Sequence, residues 1–132
     1  MNAADLVAFL SGELSASNFD DKIRPEVERW AARLSERGRS AAIILVGSFP
    51  RVDITPEFAA RFLDAYLSSM LRPASFAYVL DALLLDERFQ WTNISLRNAI
   101  EHVLGTDDLA NPDMHRARKV RAELTSLVAN SL

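Results

Sequence analysis

A chain can do chemistry where donors, acceptors or nucleophiles recur at spacings that one helix face, strand or turn brings together. The densest such stretch here is 76–113. Seven acids (Asp81, Asp86, Glu87, Glu101, Asp107, Asp108, Asp113) stand there against only Arg88 and Arg97, a local balance of −5. Tyr78, Ala82 and Leu85 form a second apolar stripe beside Asp81, and Phe89 and Trp91 follow in a connector. Aromatic anchors with an acidic rim suit recognition of a basic partner, because the acids steer encounter and the rings retain it. The expected contact set is Tyr78, Asp81, Leu85, Asp86, Glu87 and Trp91. The competing explanation is a helix buried on both sides, with Trp91 stapling the connector to the core.

The opposite charge gathers at the other end of the sequence. Segment 114–132 carries Arg116, Arg118, Lys119 and Arg121 against Glu123, with His115 beside them. A basic helix can lie in a nucleic-acid groove or on an anionic membrane. At 100° per residue, however, these charges scatter: Arg116 and Arg121 flank the apolar stripe, Arg118 and Lys119 fan across the outer face, and no aromatic interleaves them. A solubilising face whose Arg stems cover the core is the favoured reading.

Other chemistries lack their parts. A phosphate cradle needs clustered glycines, and Gly12, Gly38, Gly47 and Gly105 are far apart. His102 and His115 have no second histidine one helical turn away, and the loop between them lacks the bend glycine of a calcium loop. No serine sits in a nucleophile elbow or a Ser-x-x-Lys pair. The adjacent acids Asp20-Asp21, Asp86-Glu87 and Asp107-Asp108 point to different helical faces. No catalytic, cofactor or metal residue is assigned.

The elements that must position these groups announce themselves through caps and periodicity. Thr55-Pro56-Glu57 and Asn111-Pro112-Asp113 combine a capping side chain, a proline without an N–H to waste, and an acid in the first turn. Helices are expected over 3–14 (capped by Asn2), 25–37, 56–71, 74–87, 95–104 and 112–130, with a short turn at 18–23. The uncharged run 41–46 is read as a helix in preference to a strand, since no second strand-like run offers a pair. The helix at 56–71 is apolar over half its circumference, leaving Arg61, Asp64 and Ser68 as a polar strip, and is expected to be central. Trp30, Leu34, Phe58, Phe62, Leu80, Leu83, Ile100 and Leu124 are the expected core.

Together these imply an all-α fold: a compact bundle of six to seven helices forming a single domain over 1–132, with a small helical-repeat arrangement as the alternative. The absence of cysteine excludes disulfides and thiolate chemistry. No basic n-region precedes the apolar start, and the longest uncharged run, eleven residues, is short of the ~20 that span a bilayer. The expected location is the cytoplasm. Thirteen Arg against two Lys fit a GC-rich bacterial genome, and the net charge of −3 argues against nucleic acid as a partner of the whole molecule. The leading expectation is a non-enzymatic bacterial protein-binding domain of the immunity type, an inhibitor that neutralises a basic toxin or enzyme and is also open to homo-oligomerisation. The alternatives are a nucleic-acid-binding regulator using the basic C-terminal helix, and a small helical enzyme with a dispersed site.

Overall fold

The computed structural model describes residues 1–35, 43, 45–47, 51–104 and 111–130. In chain order these form α1 (Ala3–Ser11), α2 (Ala16–Ser35), β1 (Val52–Ile54), α3 (Pro56–Leu67), α4 (Pro73–Leu85), β2 (Phe89–Trp91), α5 (Ile94–Glu101), a 3₁₀ turn (His102–Leu104) and α6 (Met114–Asn130). The architecture is a mostly helical bundle with one short sheet.

Local signals account for most boundaries. The Asn2 side chain accepts the Asp5 N–H, and Gly12 at φ +88° closes α1 three residues earlier than the apolar spacing implied. Thr55 caps α3 through the Phe58 N–H at 3.2 Å, with Pro56 in its first turn. Asn93 caps α5 through the Leu96 N–H at 3.0 Å. At the start of α6 the cap is Asp113, which accepts the Arg116 N–H at 3.1 Å. Pro112 therefore lies outside the helix, and its carbonyl accepts the Tyr66 hydroxyl at 2.7 Å.

Pro25 corrects one expectation. It does not open a helix but sits inside α2, which starts nine residues earlier with Ser15 receiving the Asn18 N–H. The buried residues Phe19, Ile23, Val27 and Trp30 form one stripe running past the proline. Burying that stripe outweighs the ~3 kcal/mol an interior proline costs.

One short sheet accompanies the helices and leaves the all-α class unchanged. β1 and β2 pair in parallel, Val52 opposite Phe89 and Ile54 opposite Trp91, so the connector expected after α4 contains a strand. Three-residue strands are too short for an alternation pattern to register. Of the run 41–46, Val46 forms a parallel bridge with Asn2, donating to the Met1 carbonyl and accepting from the Ala3 N–H. Its end is extended rather than helical; residues 41, 42 and 44 lie outside the described residues.

One apolar cluster joins the helices. Its spine is a run of rings: Phe19 stacks on Phe9, Phe9 meets Phe62 edge-on, and Phe62 and Tyr66 both stack on Phe76. These rings come from α2, α1, α3 and α4. α3 also packs along α6, near the far end of the chain, which a linear stack of repeats would not allow. Of the expected core, Leu34 and Phe58 are only partly buried; the other six are buried.

Candidate partner surface

α4 is buried along most of its length: eight of its thirteen residues, including Ser75, Tyr78 and Ala82, are buried. Its N-terminal half meets α2 through polar groups that satisfy one another. Arg72 grips Asp20 with both Nε (2.9 Å) and Nη2 (3.3 Å), and the Ser75 hydroxyl donates to the same carboxylate. One turn further, the Tyr78 hydroxyl donates to Glu26 Oε2 at 2.6 Å, and the same oxygen receives the Met1 amine at 2.5 Å.

Tyr78 is therefore not a surface anchor, contrary to the sequence expectation. It is 4% exposed, its ring meets Trp30 edge-on at 5.5 Å, and burial followed by the bond to Glu26 pushes its hydroxyl pKa up. Nearly every position of α4 is apolar, and of the stripe read as external Tyr78 and Ala82 are buried, Tyr78 against α2, while Leu85 is not.

The C-terminal half of α4 differs. Asp81, one turn past Tyr78, is partly buried, and its carboxylate has no hydrogen bond or ion pair among the described residues. Desolvation raises its pKa. Leu85, one turn beyond, is 73% exposed. The last carbonyls of the helix are met from outside: the Trp91 indole N–H donates to Leu83 O at 3.1 Å, and Arg97 Nη2 to Leu84 O at 3.4 Å. Trp91 is half-buried, so it both staples β2 to α4 and shows an edge. Ile94, 67% exposed, lies at the first position of α5, whose Arg97 reaches the same helix end.

The acids beyond α4 divide. Asp86 is bound to Arg88 through Nε (3.0 Å), Nη2 (2.8 Å) and the backbone N–H (3.0 Å), and these bonds hold its pKa down. Its charge is already answered, which weakens it as part of an acidic rim. Glu87 is exposed with no side-chain partner among the described residues. Of the six expected contact residues, Asp81, Leu85, Glu87 and Trp91 thus share the C-terminal end of α4. Ile94 joins them and was missed, although its phase opposite the buried Leu96 and Ile100 marks it as outward.

On α6 the basic residues are partly engaged. Arg121 pairs both oxygens of Asp64 (2.8 and 3.2 Å) and Arg116 contacts Asp113 at 3.6 Å, while Arg118 and Lys119 face outward. Among the described residues no three His, Asp or Glu side chains cluster as metal ligands, and no helix is long and apolar enough to cross a membrane. Comparison with protein-family models, curated proteins and solved structures finds no match to this chain.

Proposed function

We propose that the protein is a binding module of the immunity type, acting in the cytoplasm of a bacterium, that inhibits a basic toxin or enzyme through the C-terminal end of α4. The observation that carries this reading is Asp81. A partly buried carboxylate without a cation costs folding free energy, and here it lies one turn from the exposed Leu85. A partner's Arg or Lys set on Asp81 would answer that charge, while Leu85, Ile94 and the Trp91 edge would lose water-exposed apolar area on contact. Glu87 at the rim favours encounter with a positive surface.

The test is parallel affinity capture from the native host with the unmodified chain and with an Asp81→Lys, Leu85→Ser double variant of equal thermal stability. A basic protein retained in stoichiometric amount by the first and lost by the second, and inhibited by the unmodified chain when assayed, is the expected outcome. Retention of the same proteins by both, or of none by either, overturns the reading.

A further inference from the structure

A cleft of about 590 Å³ opens between the α1–α2 corner and α3, sharing no residue with the surface above. It is shallow and wide open to solvent. Leu14, Leu67 and Met70 supply apolar walls above the buried Phe9, and Met70 is 53% exposed after Ser69, a non-glycine residue at φ +64°.

Arg61 is held in place within this cleft. Its Nη1 donates to Leu10 O, near the end of α1, at 2.6 Å. Gly12 leaves room for the guanidinium: a Cβ at that position would stand 3.1 Å from Arg61 Cζ. The Nε/Nη2 edge has no partner among the described residues. Asp64, one turn along α3, is the obvious competitor for that edge, but both its oxygens are taken by Arg121. Asp64 also lines the cleft but is paired with Arg121, so Arg61 is the lining cation without a carboxylate partner among the described residues. Ser15 and Ala16, at the start of α2, also line it, so the positive end of that helix dipole adds to the same sign of potential.

We propose that this cleft binds a small amphipathic monocarboxylate. The carboxylate takes two parallel hydrogen bonds from the Nε/Nη2 edge, the fork geometry that matches its two oxygens. The apolar body lies over Leu14, Leu67 and Met70. One uncompensated cation selects a monoanion over a phosphate dianion, and the shallow apolar walls suit an unbranched chain.

The experiment titrates octanoate, well below its micellar concentration, into the ¹⁵N-labelled full chain, with 1-octanol as the uncharged control. Saturable shifts of the Gly12, Arg61 and Ser68 amides are expected, with octanoate at least about tenfold tighter than octanol. Arg61→Gln should remove that preference, and Arg61→Lys should restore part of it. Met70→Asp, at an exposed position, should weaken octanoate by about tenfold or more, and supplies an independent reading if Arg61→Gln does not fold. Equal affinity for acid and alcohol, no saturation, or full affinity in Met70→Asp overturns the proposal.

Discussion

The two halves of α4 lie on one helix, yet they are built on opposite terms. In the first half each buried polar group meets its complement: Asp20 with Arg72 and Ser75, Glu26 with Tyr78 and the Met1 amine. Past Tyr78 the matching stops. Across from it on α2, Trp30 Nε1 is buried without a hydrogen-bond partner among the described residues; Asp81 has no cation among them, and Leu85 projects outward. The difference separates residues that hold the fold from residues that cost it stability. A polar group whose desolvation is answered within the chain has no further need; one left unanswered can be answered by something else.

The sharpest test of this contrast is Asp20→Ala. It leaves Ser75 without its acceptor and Arg72 with only Glu28, 3.9 Å away, and removing one member of a buried pair is expected to cost about 3 kcal/mol, the low end of the range because the Arg72 side chain remains 36% exposed. Chemical denaturation measures it, and a loss under about 1 kcal/mol would mean that water replaces the carboxylate freely. Tyr78→Phe should cost about 1.5 kcal/mol, the scale of a hydrogen bond to a charged group, with the ring packing retained.

Asp81→Asn should act in the other direction, raising stability by about 0.5 kcal/mol while weakening partner binding. The sign follows from proton linkage. Burial raises the folded-state pKa of Asp81 above its unfolded value, so its cost is present above the folded pKa and fades as pH falls toward the unfolded one. The gain from Asp81→Asn should therefore shrink on acidification. Asp86 runs oppositely: its folded pKa is lowered chiefly by Arg88, so its contribution is present above the unfolded pKa and lost as pH falls through the folded one. Thermal melts of the parent, Asp81→Asn and Asp86→Asn across pH 3–7 distinguish the two, and curves of the same sign would erase the contrast. The smallest effect expected is that of Leu85→Ser, within about 0.5 kcal/mol in the isolated chain. A larger loss would place Leu85 in the core.

Sequence alone determined what depends on neighbours within a turn. The caps at Asn2 and Thr55, Pro56 at the start of α3, and the buried faces of Phe62, Leu80, Ile100 and Leu124 follow from local hydrogen bonding and period, so they are legible without a fold. The outward phase of Leu85 belongs with them. Tertiary structure decided the rest. Pro25 became internal because a buried stripe stronger than one lost hydrogen bond runs past it. Tyr78 became core because a helix apolar nearly all round cannot tell, from its own period, how many neighbours it will have. Val52–Ile54 and Phe89–Trp91 became strands because pairing, not three-residue propensity, stabilises a ladder. Whether a carboxylate is answered, as at Asp20, or left alone, as at Asp81, rests on cations such as Arg72, 52 residues away in sequence, which no local spacing records.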